Sequence, residues 1–372
     1  MKLIQQWLRL TFGALLVLML ATACSGGGHN GSSNGSGDGG GDGGGGTTLA
    51  CNQQFNPDDA AAGDDCTPSY NTYCPDATSP TVLNDSTVGA CDGVAVTPGS
   101  VTANGLTSNY EVLTPTSTAK ADAGSAALII ALHWSNGTGE SMANHMRMSE
   151  LAKARNVTIV LPTAPDAYPF RTWGNSVVAP VSTRADREAL IDALIAQVKG
   201  TAKAGSTTPL IMVGVSGGAV LAYEYSCDHA DVVDGVELVA AEIMPDDLSA
   251  CHPSQPLASV QVQGTSDPLG SYANTQAAFE GLLTNNGCTD ADVKHASMPV
   301  PSGELISGID VAYTAPCSSG LGSALVTIDG GGHSWPGLNR NFDVLPVDLF
   351  GPVTKGFDAT LQGFDLLSYL GG

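Results

Sequence analysis

The stretch "LIMVGVSGGAVLAY", residues 210–223, places a serine between a strand-like segment and a helix-like segment. Its first six residues form a continuous apolar run, which is typical of a strand that is buried on both faces. The next part, "GVSGG" (214–218), fits the pattern G-x-S-x-G, and a helix-like apolar stretch follows it. In that context the pattern predicts a sharp turn that lifts the hydroxyl of Ser216 above the end of a sheet.

Similar apolar runs, separated by helical stretches, fill the chain from about residue 100 to its end. The strand-like runs are "LIIALHW" (128–134), "VTIVLP" (157–162), "PLIMVGV" (209–215), "GVELVAA" (235–241), "ASVQVQG" (258–264) and "ALVTID" (324–329). Apolar residues recur at helical spacing in 184–200, 217–227 and 271–286. This alternation predicts an α/β fold with a mostly parallel sheet and helices on both faces. We expect "GLTSNYEVLTP" (105–115) to add an antiparallel strand at the edge of that sheet.

A serine hydroxyl is a poor nucleophile at neutral pH, so Ser216 needs a base that is oriented by a carboxylate. Two later strand ends supply these groups in the order serine, acid, histidine, which is the order that G-x-S-x-G hydrolases use. Asp267 follows the strand in "SVQVQGTSDPLGSY", and His333 follows the last strand in "LVTIDGGGHSWPG" (325–337). The sequence therefore predicts a triad of Ser216, Asp267 and His333. The backbone N–H of Gly217, which opens the helix, is expected to face the developing oxyanion.

The chain is strongly acidic, with a formal net charge of −22 over 372 residues. Such a surface repels the phosphates of nucleic acids and anionic lipids, which argues against both as partners. The predicted triad chemistry requires neither a metal ion nor an organic cofactor. We therefore expect no cofactor.

Apart from Cys24, the chain has eight cysteines, at positions 51, 66, 74, 91, 227, 251, 288 and 317. None belongs to a CxxC pair, and an even number in an exported chain favours disulfides over zinc or thiol chemistry. We expect the four N-terminal cysteines to pair among themselves. The most local arrangement of the later four joins Cys227 to Cys251 and Cys288 to Cys317.

The N-terminal segment is interpreted as a targeting signal and a tether. Residues 1–24 combine basic residues, a short apolar stretch and "ATAC", which is typical of a bacterial lipoprotein signal with lipidation at Cys24. An ordinary cleaved signal peptide is the alternative, and either one takes the protein out of the cytoplasm. Residues 25–48 are rich in Gly and Ser and predict a flexible linker. We expect a small cysteine-containing region over 49–98 and the catalytic domain over 99–372.

Several segments together resemble a known family. From about Gly105 to the C-terminus, the chain resembles the extracellular poly(3-hydroxybutyrate) depolymerase-like and feruloyl esterase group of α/β-hydrolases. The resemblance implies an α/β-hydrolase fold, a triad of Ser216, Asp267 and His333, and the disulfides Cys227–Cys251 and Cys288–Cys317. The segments that carry it are "GLTSNYEVLTP", "LIIALHW", "IVLPTAP" followed by "TWGNS", "GVSGGA", "VQGTSDPLGSY", "GGGHSWPG" and "FDATLQGFDLLSYL".

One position departs from the pattern of this family. Members usually have Leu-His-Gly after the first long strand, and here Trp134 replaces that glycine, so the second oxyanion donor is either Trp134 or Ser135. The indole of Trp134 has two open interpretations, as the wall of an acyl pocket or as packing on the sheet edge, and we expect the first. Trp173 and Trp335 are further candidates for an aromatic substrate-binding surface. His133 is interpreted as scaffold for the oxyanion loop.

Three functional hypotheses follow from these features. The first is a lipid-anchored or secreted serine esterase that cleaves a polymer, of the poly(3-hydroxyalkanoate) depolymerase type. The second is a feruloyl or acetyl-xylan esterase that acts on plant polysaccharide. The third, of another class, is a binding lipoprotein that keeps the fold without activity.

Overall fold

In the computed structural model, ten strands of the described part of the chain form one mixed sheet. Their order across the sheet is β1-β2-β4-β3-β5-β6-β7-β10-β9-β8. The strands are β1 (Val94–Ala103), β2 (Leu106–Pro115), β3 (Leu128–Leu132), β4 (Thr158–Pro162), β5 (Leu210–Val215), β6 (Gly235–Val239), β7 (Ala258–Gly264), β8 (Lys294–Met298), β9 (Gly308–Tyr313) and β10 (Ser323–Asp329).

The structure describes residues 51, 54–68, 87–116, 126–165, 172–173, 183–201, 208–337 and 350–371, all within one compact unit. The predicted signal, Cys24 and the predicted linker lie outside the described residues. None of the helices in the described ranges combines the length and apolar character that a membrane-spanning helix requires.

The helices lie on both faces of the sheet. They are α1 (Pro57–Ala61), α2 (Gly139–His145), α3 (Met148–Arg155), α4 (Arg184–Thr201), α5 (Gly217–Asp228), α6 (Pro245–Ala250), α7 (Tyr272–Asn285) and α8 (Gln362–Tyr369), with a 3₁₀ turn at Asp290–Asp292. Buried side chains of α2, α3 and α8 join one core cluster, and those of α4, α5 and α7 join the cluster on the opposite face. Alternate residues of β3 belong to different clusters, because successive side chains of a strand point to opposite faces.

The centre of the sheet is parallel. β4, β3, β5, β6, β7 and β10 pair in parallel, so their carboxyl ends meet at one edge. This order, together with a serine turn between β5 and α5, is the α/β-hydrolase fold, which confirms the predicted fold class.

The two ends of the sheet differ from the sequence-based expectation. The segment 105–115 does form an antiparallel strand, but β1 pairs with it along its full length and takes the edge position instead. Asn104 and Gly105 both have positive φ and form the tight hairpin turn between β1 and β2, as an Asn-Gly pair favours. At the other end, β9 and β8 add two antiparallel strands that the apolar pattern did not reveal.

The expected boundary between residues 98 and 99 falls inside β1, so it does not separate two structural units. The described part of 49–98 packs into the same core as the sheet, through Phe55 and its neighbours. The Phe55 N–H donates to Asp365 Oδ2 in α8 at 2.8 Å, and the Tyr313 hydroxyl donates to the Pro57 carbonyl at 3.2 Å. The hydrolase core therefore includes residues from the region that we predicted to be separate.

Three disulfides lie within the described residues: Cys51–Cys66, Cys227–Cys251 and Cys288–Cys317. Cys91 is disulfide-bonded as well, and Cys74 lies outside the described residues. The Cys227–Cys251 bridge links the end of α5 to the residue after α6. It therefore fastens the helix that carries the serine turn to the segment beyond β6.

Candidate active site

Ser216 occupies a strained turn between β5 and α5. Its backbone has φ 54° and ψ −124°, a conformation that non-glycine residues rarely adopt and that costs on the order of 1–3 kcal/mol. The Ser216 N–H donates to the Val239 carbonyl of β6 at 3.0 Å, and its carbonyl accepts from Ala219 N–H at 2.9 Å. The turn is thus held by the neighbouring strand on one side and by the first helical turn on the other.

Close packing around this turn explains the glycines of the motif. A Cβ on Gly218 would lie 2.5 Å from the His133 carbonyl oxygen, because the start of α5 presses against the end of β3. A Cβ on Gly214 would lie 2.6 Å from the Ala219 Cα. Both positions therefore require glycine if the helix is to begin directly after Ser216.

Asp267 lies in the loop after β7, with its carboxylate fully buried. Its Oδ1 accepts from the N–H groups of Leu269 at 2.7 Å and Gly270 at 2.8 Å. Its Oδ2 accepts from Gln263 Nε2 at 2.7 Å and from His333 Nδ1 at 2.8 Å. Four N–H donors thus hold the carboxylate in one orientation.

His333 lies in the loop after β10, which is fixed through its backbone. The His333 N–H donates to the Phe350 carbonyl at 2.5 Å, and the Gly332 N–H donates to the Pro352 carbonyl at 2.8 Å. The Ser266 N–H donates to the Gly331 carbonyl at 2.9 Å, which joins this loop to the one that carries Asp267. The acid and the base are therefore positioned by one braced pair of loops.

The structure brings the three predicted residues together. His333 Nε2 lies 2.9 Å from Ser216 Oγ, across 117 residues of sequence. Because the Asp267 carboxylate only accepts hydrogen bonds, the proton of a neutral imidazole lies on Nδ1, and Nε2 accepts from the serine hydroxyl. The contact forms because β5, β7 and β10 run in parallel and end at the same edge of the sheet.

Opposing effects set the pKa of His333. Burial lowers the pKa of the imidazole, but the hydrogen bond to Asp267 and the charges of Asp267 and Glu242 outweigh it, so the pKa lies above its usual 6.5. A raised pKa makes Nε2 a stronger proton acceptor for Ser216.

Glu242 was not identified from the sequence. It follows β6 in a segment that is fixed on both sides, because the Ala240 N–H donates to the Val262 carbonyl at 2.9 Å and the Ile243 carbonyl accepts from Asn274 Nδ2 at 2.8 Å. Ala240 has φ 48°, so the chain turns sharply as it leaves β6. Two residues beyond that turn, Glu242 is a second carboxylate that acts on His333 through its charge. Its place after a strand end was the signal that could have revealed it.

His133 organises the loop after β3. The Ala164 N–H donates to His133 Nε2 at 2.9 Å, so the proton lies on Nδ1, which donates to the Trp134 carbonyl at 2.6 Å. The Gly137 N–H donates to that same carbonyl at 2.9 Å and closes a tight turn. These contacts agree with the interpretation of His133 as loop scaffold.

Trp173 and Trp335 are not the aromatic substrate surface that we predicted. Trp173 is 2% exposed, and its indole N–H donates to the His133 carbonyl at 2.9 Å. Trp335 is 1% exposed, and its indole N–H donates to Thr360 Oγ1 at 3.1 Å. Burial in the core leaves neither ring a face for a ligand, so both tryptophans serve to fix the loops that flank the site.

Trp134 is half-buried against the core cluster of α2, α3 and α8. Its ring meets the ring of His145 edge-on at 5.8 Å, and a Cβ on Gly137 would lie only 3.0 Å from the indole. These contacts favour packing beneath the turn over a role as pocket wall, which differs from our first expectation.

The predicted oxyanion donors lie next to the serine turn. Gly217 is the first residue of α5 and is buried. Trp134 and Ser135 lie in the loop after β3. The carbonyl groups of Leu132 and His133, which directly precede them, lie close to Gly218. The assignment of Gly217 and of either Trp134 or Ser135 as donors stays a prediction.

Among the other buried carboxylates of the described residues, two near α8 pair with arginines. Asp358 forms an ion pair with Arg147, and Asp365 forms one with Arg155 at 2.5 Å. These pairs fasten α8 and the residues just before it to α3 and its N-cap residue. No group of three or more His, Cys, Asp and Glu side chains suited to a metal ion occurs within the described ranges.

No family model matches this sequence. The chain is similar to "Putative esterase NocK" of Nocardia uniformis subsp. tsuyamanensis, with 26% identity over 238 residues, which cover 56% of this chain and 65% of that protein. It is also similar to "Probable feruloyl esterase C" of Aspergillus flavus, with 26% identity over 172 residues, which cover 45% of this chain and 58% of that protein. The chain thus spans less than two thirds of the length of each of these relatives.

Solved structures also resemble this chain. The acetyl xylan esterase of Aspergillus awamori aligns with a TM-score of 0.49 and 12% identity, over 64% of this chain and 94% of its own. The S-formylglutathione hydrolase of Agrobacterium tumefaciens aligns with a TM-score of 0.42 and 13% identity, over 51% of this chain and 83% of its own.

Neutralising Glu242 tests its effect on the histidine. In Glu242→Gln, we expect the pKa of His333 to fall, because one of the two negative charges that stabilise the imidazolium is removed. An NMR titration of the imidazole measures this pKa directly. Asp246→Asn removes the same charge from the exposed helix α6 nearby and should leave the pKa of His333 unchanged. Equal pKa values of His333 in the two variants would contradict the assignment of Glu242 as a charge that raises this pKa.

Trp134→Gly tests whether the indole is scaffold. We expect a lower Tm, with a loss of about 2 kcal/mol in the free energy of unfolding, which is less than for fully buried tryptophans because Trp134 is half-buried. We also expect kcat/KM to fall by a similar factor for acetyl, butyryl and feruloyl esters. Trp134→Phe, which keeps a ring beneath the turn, should recover most of the Tm. An unchanged Tm with faster turnover of bulky acyl groups would instead identify a pocket wall.

Proposed function

We propose that the protein is an exported serine esterase that uses Ser216, His333 and Asp267 to hydrolyse carboxylic esters. The observation that carries this proposal is the unbroken line of hydrogen bonds from Asp267 through His333 to Ser216, with distances of 2.8 and 2.9 Å. The two relatives found by sequence are both named esterases, which supports the same reaction class.

The geometry suits an acyl-enzyme mechanism. Ser216 Oγ attacks the ester carbonyl carbon while His333 Nε2 takes the hydroxyl proton, and Asp267 stabilises the imidazolium that forms. When the tetrahedral intermediate collapses, the C–O bond to the alcohol breaks and Nε2 returns the proton to the leaving alkoxide. A water molecule then attacks the acyl-enzyme, with His333 again as base, and releases the acid and free Ser216.

The developing oxyanion needs donors that are already in place. The N–H of Gly217, at the start of α5, has the position that follows the nucleophile in this fold, and the N–H of Trp134 or Ser135 lies on the adjoining loop. The hydrogen bonds of His133 fix that loop without a glycine at position 134. We therefore propose that loop scaffolding replaces the flexibility that glycine supplies in the resembled family.

We propose that the protein works outside the cytoplasm. Three disulfides within the described residues support this location, because such bonds persist in oxidising compartments. Lipid anchoring through Cys24 is part of the same proposal, with plain secretion as the alternative. Cys24 itself lies outside the described residues.

For the substrate, we propose an apolar polyester of the poly(3-hydroxyalkanoate) type. Large exposed apolar side chains within the described ranges are Val232, Leu269 and Leu305. Leu269 lies on the loop that carries Asp267, and Leu305 lies on the loop between β8 and β9, at the same edge of the sheet. Leu269 is 38% exposed and lies two residues after Asp267. Leu305 is 72% exposed, and its loop is joined to the end of β10 through the Ser307 N–H and the Asp329 carbonyl at 2.8 Å. These two leucines form an apolar rim at the sheet edge where the triad residues lie, which suits contact with a solid apolar polymer.

A second candidate is a feruloyl or acetyl ester on plant polysaccharide. The similarity to a protein named feruloyl esterase favours it. A binding lipoprotein without activity is the candidate of another class, and the assembled hydrogen bonds of the triad argue against it.

Ser216→Ala should fold normally and lose activity on p-nitrophenyl butyrate by about 10⁴-fold or more, as other triad deletions do. A fluorophosphonate probe should label the wild type and fail to label this variant. Ser226→Ala is the matched control, because Ser226 is a buried serine of α5, the helix that follows Ser216, and its hydroxyl has no hydrogen-bond partner. Retention of a tenth of the wild-type rate in Ser216→Ala, with normal rates in the control, would contradict the proposed nucleophile.

The apolar rim predicts a difference between solid and soluble substrates. Leu269→Ser/Leu305→Ser should slow the hydrolysis of poly(3-hydroxybutyrate) films by about tenfold, since two exposed leucines contribute roughly 1.5 kcal/mol of contact. The kcat/KM for p-nitrophenyl butyrate should stay unchanged. Mass spectrometry of the released acids measures the film reaction, with feruloylated xylan as a parallel substrate.

Val232→Ser is the control for this experiment, because Val232 is exposed but lies before β6, at the opposite edge of the sheet from Ser216. Film hydrolysis should be normal in this variant. Release of ferulate from xylan, with no product from the films, would replace the polyester by the polysaccharide ester.

A further inference from the structure

Strand β7 carries two buried glutamines, Gln261 and Gln263, on the same face of the sheet. They are two residues apart, so their side chains point to the same side, and both are almost fully buried. Their surroundings differ. Neither amide atom of Gln261 has a hydrogen-bond partner, whereas Gln263 Nε2 lies 2.7 Å from Asp267 Oδ2.

The Gln263 amide is held in one orientation. The ionised Asp267 carboxylate accepts only, so the NH₂ group of Gln263 faces it and the carbonyl faces Thr275 of α7, whose Oγ1 lies 3.4 Å from Oε1. A Cβ on Gly270 would lie 2.9 Å from Gln263 Nε2. The glycine therefore leaves the space through which the amide reaches the carboxylate.

We propose that Gln263 is a positioning residue of the triad, which acts on His333 through the Asp267 carboxylate. This proposal rests on the proposed esterase function. Oδ2 of Asp267 is shared between two N–H donors, Gln263 Nε2 at 2.7 Å and His333 Nδ1 at 2.8 Å. The amide thus fixes the rotation of the carboxylate about its Cβ–Cγ bond, so that Oδ2 stays in line with the imidazole.

Sharing of Oδ2 also affects the charge that the imidazole experiences. The amide dipole of Gln263 offsets part of the negative charge on Oδ2, so it weakens the stabilisation of imidazolium. The charged groups that raise the pKa of His333 are Asp267, from the loop after β7, and Glu242, from the segment after β6. Ser216 and the backbone carbonyl of Phe350 supply the remaining polar contacts.

Loss of the Gln263 amide therefore has two expected consequences. First, the Asp267 carboxylate is oriented less well, which lowers kcat. Second, the negative charge on Oδ2 is less neutralised, so the pKa of His333 rises and the acid limb of the kcat/KM profile moves to higher pH. A purely structural role of Gln263 would lower Tm and leave the acid limb in place.

The test compares Gln263→Met with Gln261→Met, using p-nitrophenyl butyrate. Methionine keeps the length of the glutamine side chain and removes its N–H donors. In Gln263→Met, we expect kcat to fall by about 10- to 100-fold, the range found for residues that orient metal ligands, and the acid limb to shift upward. Gln261→Met should match the wild type in both measurements, because its amide has no partner to lose.

Equal kcat and equal acid limbs in the two variants would overturn the proposal, as would a loss of kcat in Gln263→Met without a shift of the limb. Labelling of Ser216 by a fluorophosphonate probe in the wild type keeps this result distinct from a failure of the esterase function. In an active, labelled wild type, only the role of Gln263 is at stake.

A measurement on the wild type covers the case in which Gln263→Met does not fold. With ¹⁵N-labelled glutamine, the side-chain NH₂ resonance of Gln263 should titrate with the pKa of His333, because both groups bind Oδ2. The NH₂ resonance of Gln261 should not follow that titration. A Gln263 resonance that ignores the protonation of His333 would overturn the proposal.

Discussion

The structure depends on the close approach of the first turn of α5 to the end of β3. Gly218 lies so near the Leu132 and His133 carbonyls that no side chain fits there. This approach forces the chain to turn at Ser216, where φ is 54°, and so raises the serine above the carboxyl ends of the parallel strands. Local strain of this kind persists only where the surroundings fix it, and here the Val239 carbonyl and the first helical turn do so.

The remaining parts of the site are fixed by contacts between loops. The loops after β7 and β10 share the bond from Ser266 N–H to the Gly331 carbonyl, so the acid and the base are positioned as one unit. The two buried tryptophans also fix loops of the site. Trp173 fastens the loop after β3, and Trp335 fastens the chain just beyond His333 to Thr360. Hydrogen bonds at the edge of the sheet therefore hold the residues of the proposed triad in the fixed geometry that such catalysis would require.

Sequence patterns predicted the parallel strands and the strand-end residues because both signals are local. Ser216, Asp267 and His333 each follow an apolar run, and parallel strands bring such positions to one edge. The patterns failed where partners are distant in sequence. The burial of Trp335 depends on Thr360, which lies 25 residues further along the chain. The contact between Gln263 and Asp267 spans only four residues, but it depends on how the loop turns back beside the strand, which the apolar pattern does not describe. The hairpin turn at Asn104 was a local signal that we did not use.

The two glutamines of β7 show how the position of a buried polar group decides whether it finds a hydrogen-bond partner. Burial of an amide without hydrogen bonds costs roughly 1–3 kcal/mol, and Gln261 bears this cost because the centre of the strand offers no partner. Gln263 lies one pleat nearer the end of the strand, where the Asp267 loop turns back over it. The same residue type thus becomes a donor to the carboxylate that orients His333. Because the edge where the strands end is also where loops return, the amide of Gln263 meets the loop of Asp267, whereas the amide of Gln261, one pleat deeper, meets no such loop.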